Sequence, residues 1–390
     1  MNYILFDDQK VREDFLPLTF TRPIADLRFG ILTMREKWEH LIGFKTSTLT
    51  DDYLSKKFPL IKGEDNFLIN SSICPSKELY EVIKSLIPNQ ALISNEKIIA
   101  MRLDASNLEN LNTSDTSEIV YEHESESLTG ITDLFSKLGN ALAYDFEILT
   151  KGKKSQTLSS SNQIIGDNPV FLEEGAVVEC SILNTKNGPI YIGKDAEVME
   201  GSIIRGPFAL GEHAQVKAGT KIYGPTSFGP HCKIGGEVNN SMIMGYTNKA
   251  HDGFLGNSIL GEWCNLGAGT NCSNLKNTYD SVRIWNYKQE TFVDTGLQFC
   301  GLIMGDHSKT SINTMLNTGT IVGVSVNLFG AGFPRQFVSS FNWGGFSSGF
   351  KKFNFKKAVE VAEKVYERRG KEFDEVEKEI FRTIFELTIV

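Results

Sequence analysis

Gly211-Glu212-His213-Ala214-Gln215-Val216-Lys217-Ala218-Gly219-Thr220-Lys221-Ile222 is the stretch that decides the fold. Small or aliphatic residues alternate with polar ones, and glycine returns at short intervals. Six such residues lay down one flat side of a coil, with the aliphatic side chain inward and glycine at the corner, where a positive φ is easiest without a Cβ. The same apolar-glycine step recurs at Ile192-Gly193, Leu210-Gly211, Phe228-Gly229, Met244-Gly245, Leu260-Gly261, Met304-Gly305 and Val322-Gly323. Gly193, Gly211 and Gly229 are spaced by eighteen positions each, and Gly305 and Gly323 repeat that interval. Three six-residue sides make one turn of that length. A fixed period of this kind decides the fold. It predicts a left-handed parallel β-helix of hexapeptide repeats over residues 162–335, against the rival of a glycine-rich β-sandwich. The pattern breaks between about 271 and 292, which reads as a loop projecting from the coil.

Outside the coil the patterning changes. Residues 1–150 alternate short apolar runs with helical spacing and predict an α/β domain. Strands are expected at Tyr3–Phe6, Asn66–Asn70 and Ile98–Leu103, and helices at Ile31–Leu41 and Lys77–Leu86. A polar excursion interrupts this domain at 104–127. Leu134, Leu138 and Leu142 then restore a helical pattern, and 151–161 is a polar linker. After the coil, residues 336–390 hold an aromatic, glycine-rich loop (Phe341-Asn342-Trp343-Gly344-Gly345-Phe346) and two amphipathic helical patterns.

The net charge of −8 argues against nucleic-acid or anionic-membrane partners, which require a basic surface. No apolar run is long enough to span a bilayer. The start, Met1-Asn2-Tyr3-Ile4-Leu5-Phe6-Asp7-Asp8, lacks the basic and long apolar segments of a secretory leader, so the expected location is cytoplasmic. Cys74, Cys180, Cys232, Cys264, Cys272 and Cys300 form no Cys-x-x-Cys pair and read as small buried thiols. His213 and His231 are one such interval apart, each two residues after a repeat glycine, and His307 has the same offset. They should stack on exposed corners. Zinc enzymes built on this coil need a close His-x-x-x-x-His pair; none occurs, and no metal site is expected in the coil.

The segment from Glu237 through His251, Phe254-Leu255-Gly256, Asn265-Leu266-Gly267-Ala268-Gly269-Thr270 and Ser273-Asn274-Leu275-Lys276 resembles the acetyltransferase half of the bifunctional sugar-1-phosphate nucleotidyltransferase/acetyltransferases. Ile204-Arg205-Gly206-Pro207 resembles the archaeal-type branch of that family. The resemblance implies a trimeric acyltransferase with acetyl-CoA or another acyl-CoA as cosubstrate and a sugar, sugar phosphate or nucleotide sugar as acceptor. His251 falls on the family's general base, an apt role for an imidazole at neutral pH. Asn265 and Asn274 match positioning asparagines. Arg205, Lys276 and Arg283 are candidate phosphate donors, and the backbone N–H groups near Gly267 and Ala268 are candidates for the cofactor's thioester oxygen. Phe254 replaces a tyrosine and Asn239 a lysine, which points to an altered acceptor.

Leu16-Pro17-Leu18-Thr19-Phe20-Thr21-Arg22-Pro23 resembles the stretch after the phosphate-binding loop of sugar nucleotidyltransferases. Arg12 and Arg22 are the candidate residues there. The glycine-rich loop itself is replaced by Phe6-Asp7-Asp8-Gln9-Lys10-Val11-Arg12, and Ser72 stands where the family has a Mg²⁺-holding aspartate. The domain therefore reads as reduced, with Mg²⁺ required only if it is active. Two other functions stay open: an NDP-sugar-forming nucleotidyltransferase, and a non-catalytic sugar-nucleotide-binding or regulatory protein.

Overall fold

A computed structural model describes residues 2–110 and 116–388. The chain divides into two compact units. One comprises Met1–Phe15, Thr19–Leu27 and Leu32–Ile131; the other comprises Leu16–Leu18, Arg28–Ile31 and Thr132–Val390.

The first unit is built on a six-stranded mixed sheet. Its order is Ser47–Leu49, Asn2–Phe6, Asp65–Asn70, Lys97–Asp104, Gln90–Ser94 and Ser117–Val120. The first three strands run parallel, Lys97–Asp104 is antiparallel to both of its neighbours, and Ser117–Val120 lies parallel to Gln90–Ser94. Helices Met34–Ile42 and Lys77–Ser85 cover it, with Trp38, Ile42, Leu79 and Ile83 buried against Tyr3, Leu5, Phe67 and Ile69. The first helix starts at a capping box, Thr33 with Glu36, and ends at Gly43 with φ 80°. In the polar 104–127 stretch, Ala105–Asn110 is helical and Ser117–Val120 is the edge strand, while residues 111–115 fall outside the described residues.

The second unit is a three-faced parallel β-helix. One face carries nine parallel strands in strict sequence order, from Val170–Leu172 to Phe337–Val338. The regular turn holds where it was read: Ile190 pairs with Phe208, Phe208 with Thr226, and Ile303 with Ile321. It does not hold throughout. Ser227 pairs with Met242 and Glu237 with Phe254, turns that fall short of the regular length by three positions and by one. A long insertion follows, since Ile259 pairs with Ile303. It contains an antiparallel hairpin, Arg283–Asn286 with Thr291–Asp294, the projecting loop expected from the broken repeat. Inward side chains such as Val198, Ile204, Leu210, Val216, Ile222 and Ile234 form one continuous core column.

Helix Leu138–Thr150 groups with this second unit. Phe146 packs edge-on against Phe171, and the buried Asp145 carboxylate accepts from the Ile31 N–H at 2.8 Å. The last two helices, Phe355–Glu367 and Glu375–Leu387, also pack on the coil. They explain one departure from expectation. His213 and His231 stack as read, with centroids 4.9 Å apart, and the ladder continues through Tyr246 and Trp263. His307 sits on the same row of corners but is only 4% exposed, because Tyr366, Phe373 and Phe381 cover it. Every member of the ladder has a φ between 53° and 61°, a left-handed corner that these side chains hold by stacking. Among the cysteines, Cys180 is exposed and Cys74 half-buried, so only Cys232, Cys264, Cys272 and Cys300 are the buried thiols expected.

Rung stacking leaves some glycines no room. A Cβ on Gly229 would collide with the Met244 carbonyl oxygen of the next rung, whereas one on Gly219 (φ 71°) would meet nothing within 4 Å. We expect Gly229→Ala to cost about 3 kcal/mol or more and Gly219→Ala about 1 kcal/mol, the left-handed penalty alone. Equilibrium denaturation of the two variants measures the difference.

Candidate functional site

His251 lies on the corner that follows the short strand Asn248–Lys249, and its side chain is exposed. The next rung fixes what faces it. Asn248 pairs with Asn265, the Leu266 N–H donates to the Asn248 carbonyl at 2.9 Å, and the Gly269 N–H donates to the Asp252 carbonyl at 3.0 Å. Counting along these parallel segments puts Ala268 level with His251, one rung away, or about 4.8 Å. The Gly267 N–H is used by the ladder, donating at 3.1 Å to both the carbonyl and the hydroxyl of Thr310. The Ala268 N–H has no partner among the described residues, while its carbonyl accepts from the Asn313 N–H at 2.7 Å. Of the two backbone donors expected, Ala268 alone is free to receive an oxyanion.

Two faces meet at this corner. On one, Asn265 is exposed in a row with Asn248 and Lys309. The other carries Lys221, Glu237 and Phe254 in register on successive rungs. The sequence reading gave no role to Glu237, Lys221 or Tyr223. The Tyr223 hydroxyl donates a short hydrogen bond to one Glu237 carboxylate oxygen, and the Lys221 ammonium lies 4.0 Å from the other. Burial and this carboxylate push the Tyr223 pKa up to about 12. A polar cluster thus flanks Phe254, the position where a tyrosine is missing. The pairing of Tyr223 with Asn239 closes a turn two positions short of the regular one, which hid this alignment from a fixed count.

The remaining expected residues scatter. Asn274 is at the far edge of the Phe254 face, where its amide donates to Asn257 Oδ1 at 2.8 Å. Arg205 is exposed on that same face but three rungs earlier, roughly 14 Å away. The Lys276 ammonium donates to the Ser281 carbonyl at 2.5 Å, and Arg283 donates to the Phe292 carbonyl. Arg283 therefore braces the insertion hairpin, and Lys276 the loop that leads into it.

In the first unit, Arg12 is buried and held by several partners, although its Nε makes no hydrogen bond. Its guanidinium lies 3.5 Å from Asp7, 2.7 Å from Asp51 and 3.1 Å from the Tyr53 hydroxyl, and it donates to the Thr19 carbonyl. Its side chain is 5% exposed. Burial raises the Asp7 pKa to about 6, against the opposing pull of Thr50, Arg12 and the Ile24 N–H. Arg22 is buried too. The Ser72 hydroxyl donates to Asn70 Oδ1 at 2.9 Å and accepts from the Lys97 ammonium at 2.8 Å. An ammonium ion on a neutral hydroxyl is a poor donor set for Mg²⁺, which binds through carboxylate oxygens.

Residues 3–154 match the model of the sugar nucleotidyl transferase family. A bifunctional sugar-1-phosphate nucleotidylyltransferase/acetyltransferase of Sulfurisphaera tokodaii is 33% identical over 165 residues, which is 42% of this chain and 40% of that one. The bifunctional protein GlmU of Methanocaldococcus jannaschii is 37% identical over 87 residues, 22% of this chain and 21% of that one. The chain thus joins a sugar nucleotidyltransferase domain to a hexapeptide-type β-helix, and its homologues are transferases of both kinds. It aligns with two fifths or less of the length of these relatives. Among solved structures, a hexapeptide transferase family protein from Anaplasma phagocytophilum covers 58% of this chain and 97% of its own at 15% identity, with a TM-score of 0.28. That similarity carries no weight beside the strand registers.

The Arg12 cluster has a testable consequence. Arg12→Ala leaves two carboxylates uncompensated and should destabilise the first unit by about 3 kcal/mol at pH 8. The loss should be smaller at pH 5, below the raised Asp7 pKa, where the folded state takes up a proton and the charge disappears. Denaturant titrations at both pH values check it.

Proposed function

We propose that the coil transfers an acyl group, acetyl by resemblance, from a CoA thioester to an amino or hydroxyl group of a sugar, sugar phosphate or nucleotide sugar. The observation that carries this reading is the exposed imidazole of His251 set one rung from the unpartnered Ala268 N–H. His251 accepts the proton of the attacking nucleophile as its bond to the thioester carbonyl forms. The Ala268 N–H hydrogen-bonds the negative charge that develops on the carbonyl oxygen. When the carbon–sulfur bond breaks, the imidazolium returns its proton to the leaving thiolate. Asn265 positions the acyl-carrying end from one face. Glu237, held by Tyr223 and Lys221, receives the acceptor from the other, and Asn274 lines the far edge of that face. Arg205, Lys276 and Arg283 take phosphate roles only by letting go of their present settings or reaching along the groove.

We place the protein in the cytoplasm as a homotrimer, on the strength of the family resemblance; no helix among the described residues is long and apolar enough to cross a membrane. For the first unit we propose a packing or ligand-holding role without nucleotidyl transfer. The pinning of Arg12 and the Ser72–Lys97 pair support this.

The test is release of CoA thiol with acetyl-CoA over a panel of amino sugars and sugar phosphates. We expect His251→Ala to lower kcat by about 100-fold or more with the KM for acetyl-CoA little changed. Equal release by both proteins would remove His251 as base. Tight sugar-nucleotide binding with no release by either would favour a binding protein. Mg²⁺-dependent pyrophosphate release from an NTP and a sugar-1-phosphate would overturn the reading of the first unit.

A further inference from the structure

Lys249 occupies a position meant for an aliphatic side chain. On its face of the coil the second residue of each short strand points inward: Val198, Val216 and Ile234 before it, and Leu266 after it. Lys249 pairs in register with Ile234 and is only 2% exposed. Burying an ammonium group among aliphatic side chains is strongly unfavourable unless something holds it. A leucine or methionine would fill the same space without that penalty. Among the described residues no carboxylate makes an ion pair with Lys249. Its ammonium instead donates a short hydrogen bond to the backbone carbonyl of His251, two residues on.

We infer that Lys249 is a positioning residue, an internal tether that fixes the corner from which the His251 imidazole projects. The inference rests on the acyl-transfer reading for its consequence in catalysis, but not for the tether itself. The corner needs one. The segment 250–253 bridges two faces, Gly253 has φ 125°, and His251 itself is exposed and not held by packing. A general base must be placed to a fraction of an ångström, and a small misplacement costs rate steeply. A donor from beneath fixes the backbone and leaves the imidazole free to face solvent and substrate.

The tether is also sensitive to pH. Burial lowers the Lys249 pKa to about 8, and Asp252 on the same corner partly opposes this. The residues on its inward row in the adjacent rungs, Ile234 and Leu266, carry no charge. As pH rises through 8 the ammonium becomes a neutral amine, a weaker donor, and the corner loosens. The stability sign is opposite. The folded protein releases this proton before the unfolded chain does, so between pH 8 and 10 stability rises with pH on account of Lys249.

Lys249→Met tests the assignment on the full chain. At pH 7 the variant should be as stable as wild type or more so. Its stability should lack the rise with pH that wild type shows between pH 8 and 10. Backbone amides of 250–253 should exchange about tenfold faster than in wild type, with other rungs unchanged. In the acetyl-CoA assay kcat should fall about tenfold or more, with the KM for acetyl-CoA within about twofold. Wild type alone supplies a control: the same amides should lose protection between pH 7 and 9 after correction for intrinsic exchange. Unchanged corner exchange in both comparisons would overturn the tether. Faster exchange with unchanged kcat would overturn its role in positioning. If neither protein transfers an acyl group, the reaction reading fails, and the exchange and stability measurements still decide whether Lys249 holds the corner.

Discussion

The constraint on which the second unit depends is parallel register: each inward side chain must rest on the equivalent side chain of the next rung. A one-residue slip would turn every core aliphatic outward and every polar residue inward. Ile190 on Phe208 and Phe208 on Thr226, with Val198 on Val216 beside them, hold that register through the regular part of the coil. Because rungs are about 4.8 Å apart, any two residues on matching corners become neighbours, however far apart they lie in sequence. His251 and Ala268 meet in this way. So do the aromatic corners from His213 to Trp263, whose stacked rings hold a left-handed backbone that those residues would otherwise avoid.

The candidate site lies one rung after the place where the register is kept but the turn length is not. Between Ser227 and Met242 the rung shortens at the corner after Ile234, one rung before the corner that carries His251, which keeps the regular spacing from Lys249 to Leu255. These two rungs also collect the residues that break the coil's own rules: Lys249 inside, Glu237 bonded to Tyr223 outside, and Phe254 where the family resemblance would place a hydroxyl. Sites of chemistry are where a fold tolerates local cost. The first unit shows the reverse. Its Arg12, a candidate residue of the phosphate-binding stretch, is held by Asp7, Asp51 and Thr19 inside the protein.

The coil was legible because glycine spacing reports turn length directly. Equal glycine intervals gave the rungs, their absence near 271–292 gave the hairpin insertion, and the offset of His213 and His231 gave their stacking. What escaped reading has common causes. The shortened rungs carry no glycine at the expected place, so Glu237 and Lys249 could not be assigned to a face by counting. The burial of His307 depends on Tyr366 and Phe381, brought in from a distant part of the chain. Phosphate roles for Lys276 and Arg283 followed from charge alone, and charge does not reveal that nearby backbone carbonyls already hold both groups. In the first unit the short strand Ser47–Leu49 went unread because so brief a segment carries too little pattern.

A crystal structure of the chain with CoA bound is the most direct test that the His251 corner is where chemistry happens. The pantetheine thiol should lie in the groove beside the corner, within hydrogen-bonding reach of the Ala268 N–H and facing the His251 ring. A thiol end lodged against another set of rungs, or CoA held in the first unit with the His251 corner untouched, would contradict it.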